Sequence, residues 1–261
     1  MSCRTIAVAN QKGGTGKTAT TLSLGAALAR LGRRVLLVDA DPQGDLTKSL
    51  GWSEPDALEV TLANHLNAVI EGEGLESREG ILSHKEGIDL MPANIELAGM
   101  EMPILMAMSR EQLVNMWMSP LKADYDFIIF DCAPTLGIIP VNAFVASDSV
   151  LVPVSAEYLP ASAMTGLLKT VGRVRRQINP SLEVEGILLT LFDSRNNLAR
   201  EVEETIREQY GSAYRVFDTV IPRAVSAAEA PSVGASIFAY DGRGKVASAF
   251  ERLAEEVVGR G

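Results

Sequence analysis

Residues 11–18 read Gln11-Lys12-Gly13-Gly14-Thr15-Gly16-Lys17-Thr18, and they decide the fold. The apolar run Thr5-Ile6-Ala7-Val8-Ala9 precedes them, and the helix-like Thr20-Thr21-Leu22-Ser23-Leu24-Gly25-Ala26-Ala27-Leu28 follows. Strand, glycine loop and helix N-terminus in that order form the setting of a phosphate-binding loop. Glycines let successive backbone N–H groups turn inward on phosphate oxygens. A lysine at position 17 reaches the β and γ oxygens, and a hydroxyl at position 18 ligates Mg²⁺. The usual pattern places a glycine five positions before Gly16, but this chain has Gln11 there, followed by a second lysine, Lys12.

Working outward, the helix predicted after the loop runs to Leu31, with Gly32 as its stop. Val35-Leu36-Leu37-Val38 reads as a buried parallel strand ending in Asp39-Ala40-Asp41-Pro42-Gln43, which completes a βαβ unit. Acidic residues at the C-terminal end of such a strand stand where ligands bind in open α/β sheets. A helix is predicted from Thr61 to Ile70, a solvated loop from Glu71 to Gly80, and a short strand from Gly87 to Pro92. Asn94 reads as the N-cap of one Met-rich helix reaching about Trp117. Its Met100, Met102, Met106, Met108, Met116 and Met118 read as flexible core packing, with an adaptable partner surface as the alternative.

Asp126-Phe127-Ile128-Ile129-Phe130-Asp131 is an apolar strand with an acidic end, where an aspartate is well placed to hold a Mg²⁺-bound water. The remainder alternates. Strands are predicted at Ser149–Val154, Val184–Leu191 and Val216–Ile221, and helices at Ala161–Ile178, Leu198–Tyr210 and Val246–Val258. The expectation is an α/β fold: one domain, residues 1–261, with a mostly parallel central sheet and helices on both faces.

Composition narrows the function classes. With 261 residues, 47% hydrophobic and 22% charged, the chain reads as a soluble globular protein. A net charge of −9 restricts any nucleic-acid contact to a local basic patch. Cys3 and Cys132 show neither metal-ligand nor disulfide spacing, which fits a reducing cytosol. The N-terminus passes directly into the first strand, leaving no room for a signal peptide. No apolar run approaches the ~20 residues of a membrane span. The polar face of the last helix is mostly acidic, unlike the Lys/Arg face of membrane-surface helices.

The two lysines of the loop, Asp39-Ala40-Asp41-Pro42-Gln43 and Phe130-Asp131 together resemble the ParA/Soj family of chromosome- and plasmid-partitioning ATPases. That family belongs to the deviant Walker A P-loop group that also contains MinD and the nitrogenase iron protein. The resemblance extends to the segment Ile221-Pro222-Arg223 through Ser232. It implies an ATP-dependent homodimer with two ATP and Mg²⁺ between the subunits. Gly13, Gly14, Thr15, Gly16, Lys17, Thr18 and Ala19 would cradle the nucleotide of their own subunit, while Lys12 would reach the phosphates held by the other. A cation supplied in trans stabilises charge developing on the γ-phosphoryl oxygens. By the same resemblance Asp41 positions or activates the attacking water. Thr18, Asp39 and Asp131 serve the metal, Asp193 meets the adenine amino group, and Pro222 flanks the base.

The resemblance further implies nonspecific DNA binding by the ATP dimer through Arg195 and Arg223. Beside them stands an acid-free cluster, Lys169, Arg173, Arg175 and Arg176, which serves either as further phosphate contacts or as a solvated helix face. Relatives often carry another arginine where this chain has Val225. A ParB-type centromere-binding partner would stimulate hydrolysis, and the protein would sit on the nucleoid in the cytoplasm with no membrane attachment. Only three residues precede Arg4, so no operator-reading extension is expected. A MinD-like or cargo-positioning role is the alternative, and the cysteine spacing does not suit a cluster-bridging iron protein.

Overall fold

The computed structural model describes residues 2–157 and 161–259. In chain order the elements are β1 (Arg4–Val8), α1 (Lys17–Arg30), β2 (Val35–Ala40), α2 (Asp45–Ser49), α3 (Leu62–Glu71), β3 (Leu82–His84), β4 (Ile88–Met91), α4 (Glu96–Gly99), α5 (Glu101–Met106) and α6 (Leu113–Met118). There follow β5 (Phe127–Cys132), α7 (Ile138–Ala146), β6 (Ser149–Ser155), α8 (Ala161–Gln177), β7 (Glu183–Thr190), α9 (Asn197–Tyr210), α10 (Val225–Glu229), α11 (Ile237–Asp241) and α12 (Lys245–Val258).

The strands form one seven-stranded sheet in the order β3-β4-β2-β5-β1-β6-β7, parallel except for β3. Strands buried on both faces need helices on both, and the core divides accordingly. Ala7, Leu36, Val38 and Phe130 face a cluster completed by the α3 to α9 side. Ile6, Val8, Val35 and Leu37 face one completed by α1, α11 and α12. The predicted inner face of the last helix holds: Val246, Ala249, Phe250, Leu253 and Val257 are all buried. No helix among the described residues is long and apolar enough to cross a membrane.

Two expectations are corrected. Val216–Ile221 is not a strand, although its alternation suggests one. It lies along β7, with Phe217 N–H donating to Ile187 O and Ile221 N–H to Leu189 O. Between those contacts the ladder is lost, because the N–H groups of Asp218 and Thr219 donate to the Glu256 carboxylate of α12 at 3.2 and 2.9 Å. The seventh strand is instead the three-residue antiparallel β3.

The Met-rich segment is three short helices rather than one. Asn142 of α7 accepts from Val114 N–H and donates to Arg110 O at 2.7 Å, which reroutes the chain. It leaves helical geometry at Ala107 and turns through Ser109 at φ 52°. Asn94 accepts from Glu96 N–H as a local cap. Met100 and Met118 are core residues, whereas Met102, Met106, Met108 and Met116 are exposed, Met108 by 93%, so core packing describes only part of the set.

Candidate functional site

The sheet brings the chemistry-bearing loops to one edge. β5 lies between β1 and β2, in register Val8↔Asp131 and Asp39↔Asp131. The glycine loop after β1, Asp39 near the end of β2 with Asp41 just beyond it, and Asp131 on β5 therefore converge at the C-terminal ends of adjacent parallel strands. Gly14 and Gly16 take left-handed φ values of 71° and 76°, which a side chain would resist, and they turn the loop into α1. Thr190 at the end of β7 donates its hydroxyl to Thr15 O at 2.9 Å, anchoring the loop from the opposite side. Gln11, the residue in place of a glycine, packs its amide against Gly166 of α8.

Around the loop lies an open cleft of about 640 Å³, lined by Gly13, Gly14, Gly16, Lys17, Thr18 and Ala19 together with Asp41. A larger groove of about 830 Å³ between α3 and α4 is lined by none of these residues. Lys17 is buried, and its Nζ donates to Lys12 O at 3.4 Å. Burial lowers its pKa, while Asp131 and Asp41 act in the opposite sense. Lys12 is half-buried, and its N–H donates to Asn10 Oδ1 at 3.1 Å.

The two strand-end aspartates differ. Asp131 is 1% exposed, and its pKa is raised well above the usual range, by burial first and then by Asp39. Thr18 hydrogen-bonds it, and Thr21 Oγ1 donates to Oδ1 at 3.4 Å. Its Oδ2 is buried with no hydrogen-bond partner among the described residues. A buried carboxylate oxygen without a donor, beside a hydroxyl and a lysine, suits a hydrated divalent cation.

Asp39 is fully buried, with its oxygens spent on the protein. Oδ2 accepts from Thr47 N–H and Oγ1–H at 2.9 and 2.7 Å, and Oδ1 accepts from Asp41 N–H at 3.2 Å. Burial pushes its pKa up to about 7 against the pull of those donors. Asp41 is half-buried at the cleft, with Oδ1 accepting from Gln43 N–H at 3.0 Å.

The other expected residues disperse. Pro222 lines a narrow apolar slot of about 50 Å³ with Gly16, Ala19, Thr190 and Leu191, whereas Asp193 is not part of its wall. Asp193 instead takes a two-pronged contact from Arg195 at 2.9 and 2.8 Å, which lowers its pKa to about 2. Arg223 pairs with Glu157. Both arginines stand beyond the C-terminal ends of β6 and β7. Arg173, Arg175 and Arg176 lie in the last turns of α8, toward the opposite end of those strands, with Lys169 exposed midway along that helix. The basic residues therefore do not form one patch. Thr47, Thr190 and Glu157 were not readable from the sequence, since each is defined by a partner distant along the chain.

This parallel sheet, with its glycine loop between β1 and α1, defines the P-loop class. A family model described as an AAA domain matches residues 3–184. The chain is 42% identical over 256 residues to the sporulation initiation inhibitor protein Soj of Bacillus subtilis, covering 98% of both chains. It is 38% identical over 259 residues to the chromosome partitioning protein ParA of Caulobacter vibrioides, covering 98% of this chain and 94% of that one. The crystal structure of cobyrinic acid a,c-diamide synthase from Mycobacterium smegmatis with bound ADP and magnesium superposes with a TM-score of 0.85 at 38% identity, covering 97% of this chain and 93% of that one. The chain belongs to the ParA/Soj family of P-loop partitioning ATPases.

Proposed function

We propose that the chain is an ATP-dependent switch for segregating chromosome or plasmid DNA. Two copies close around two ATP, bind DNA without sequence preference, and hydrolyse ATP when a ParB-type partner stimulates them on the nucleoid. The observation that carries the reading is that Lys17 and Asp41 line one open cleft, with Asp131 buried behind Thr18 and Lys17, and that the same loop bears Lys12. Gly13, Gly14, Thr15, Gly16, Lys17, Thr18 and Ala19 would hold the phosphates, with the base toward Pro222. Thr18 and Asp131 would hold Mg²⁺, which neutralises charge on the β and γ oxygens when bound. Asp39 would serve that site from behind, given the donors already on its carboxylate. The adenine role of Asp193 requires the Arg195 contact to open.

Titration of the cleft gives one check. Burial raises the pKa of Asp39 to about 7 and that of Asp131 well above the usual carboxylate range, so a proton on this pair competes with a cation near neutral pH. A divalent cation favours the ionised form, and Mg-ATP binding is expected to release protons. Calorimetric titration in two buffers of different ionisation enthalpy reads this directly, and identical heats in both would contradict it.

DNA retention by the ATP-bound protein tests the reading as a whole. Arg195 and Arg223 are 89% and 65% exposed, so their ion pairs contribute little and can exchange for phosphate contacts. Arg195→Ala and Arg223→Ala are each expected to weaken DNA binding roughly three- to tenfold and to lower the salt slope by about one. Absence of ATP-dependent retention at low salt would overturn the function.

A further inference from the structure

We propose that Thr47 is a positioning residue for the hydrolytic step, holding the turn that carries Asp41 through a relay from Asp39 to Ala93. This rests on the reading of Asp41 as the residue that orients the attacking water.

Thr47 lies within α2, whose Asp45, Lys48 and Ser49 line the cleft, yet it is itself fully buried and directs both its hydroxyl and its N–H toward this turn, while its carbonyl accepts from Leu50 and Trp52 N–H. Its hydroxyl donates to Asp39 Oδ2 at 2.7 Å and accepts from Ala93 N–H at 3.2 Å. Its own N–H donates to the same Asp39 oxygen at 2.9 Å. The middle of α2 is thereby tied to the C-terminal end of β2 and to the second residue after β4.

The segment between these anchors is residues 40–46, and Asp41 stands near its start. Asp39 Oδ1 accepts from Asp41 N–H, Asp41 Oδ1 accepts from Gln43 N–H, and Gly44 N–H donates to Asp41 O at 3.0 Å. Gly44 is left-handed at φ 63°, and a Cβ on it would stand 2.9 Å from Ala93 O. The turn thus rests on Ala93 at two points, its carbonyl facing Gly44 and its N–H bonded to Thr47. Asp41 and Thr47 share no hydrogen bond among the described residues; the hydrogen-bonded route between them runs through Asp39 and the turn.

Removing the hydroxyl leaves Asp39 with one donor fewer in a site closed to water and leaves Ala93 N–H without its acceptor. The turn is then free to shift by the ångström or so that oriented chemistry does not tolerate. The phosphate-cradling residues sit on the other loop, after β1, and are untouched. The expected signature is a loss in turnover without a loss in nucleotide binding.

The experiment compares Thr47→Val, which keeps the shape and removes the hydroxyl, with Thr47→Ser, which keeps the hydroxyl and removes a methyl group. Steady-state phosphate release is measured alongside binding of a fluorescent ATP analogue with Mg²⁺. Thr47→Val is expected to lower kcat on the order of 10- to 100-fold with KM and analogue affinity within about threefold, and Thr47→Ser is expected to restore most of kcat. In the Asp41→Ala background, Thr47→Val is expected to add no further loss, because it acts through Asp41. If Thr47→Val does not fold, Thr47→Ala takes its place in both comparisons.

Unchanged kcat in the hydroxyl-free variant, an equal loss in the serine variant, a matching loss of ATP affinity, or full additivity with Asp41→Ala would each overturn the proposal. A different result marks failure of the underlying reading: Asp41→Ala alone hydrolysing ATP at the parental rate.

Discussion

Lys12→Ala is expected to bind Mg-ATP within about threefold of the parent chain and to hydrolyse it roughly 10³-fold more slowly, the scale of a cation supplied in trans to phosphoryl transfer. The two lysines of the loop separate cleanly in the structure. Lys17 is buried among the acidic groups of its own cleft, and it donates to the backbone carbonyl of residue 12, which alanine retains. Lys12→Ala therefore leaves Lys17 seated. ATP-dependent dimerisation, read by light scattering, is expected to weaken with turnover. A mixing experiment sharpens the point. Lys12→Ala and Asp41→Ala are each inactive alone, but a mixed dimer contains one site with both groups, so mixing is expected to recover part of the activity. Normal hydrolysis by Lys12→Ala, or no recovery on mixing, would refute the shared site.

Asp41→Ala should reduce hydrolysis by about 10² to 10⁴, the range of a lost general base or water-orienting group, while preserving the ATP-bound dimer on DNA. Its carboxylate is half-buried, and the only hydrogen bond it accepts among the described residues is from Gln43 N–H. Truncation therefore leaves no buried donor stranded and should leave the melting temperature nearly unchanged. Because Asp41 favours the charged form of Lys17, its loss takes one attractive charge from that lysine but leaves Asp131 in place. Sedimentation with ATP should show a persistent dimer, and DNA retention should outlast that of the parent chain. A monomer under these conditions would mean that Asp41 builds the interface rather than running the reaction.

The part of the molecule readable from sequence is the part held by near neighbours in the chain. From β1 through the glycine loop to α1 and β2, the order of strand, turn, helix and strand is written in glycine placement and apolar runs. The register that sets Asp39 beside Asp131 then follows from two strands ending in acids. The reading fails where a distant side chain intervenes. Val216–Ile221 has the alternation of a strand, but Glu256 takes two of its N–H groups from 38 and 37 residues away. The Met-rich stretch has helical composition, but Asn142 holds its middle open. Leu82-Ser83-His84 is too short for any period to register. Thr47 resembles an ordinary helix residue until Asp39 and Ala93 are folded against it. The arginines show the same limit in reverse: α8 carries its basic residues away from Arg195 and Arg223, and each of those two has an acidic neighbour that the motif does not reveal.

The Glu256 contact also affects how such molecules meet. A parallel sheet with a bare outer strand offers a row of unpaired N–H and C=O groups on which another chain can extend it, and such growth has no natural end. Here one margin finishes in the three-residue β3. The other is flanked by residues 216–221, whose N–H groups at 218 and 219 are already committed to a carboxylate. Both margins deny a template to a stray strand. A protein whose proposed work is to pair reversibly through its nucleotide face gains from having sides that do not stick.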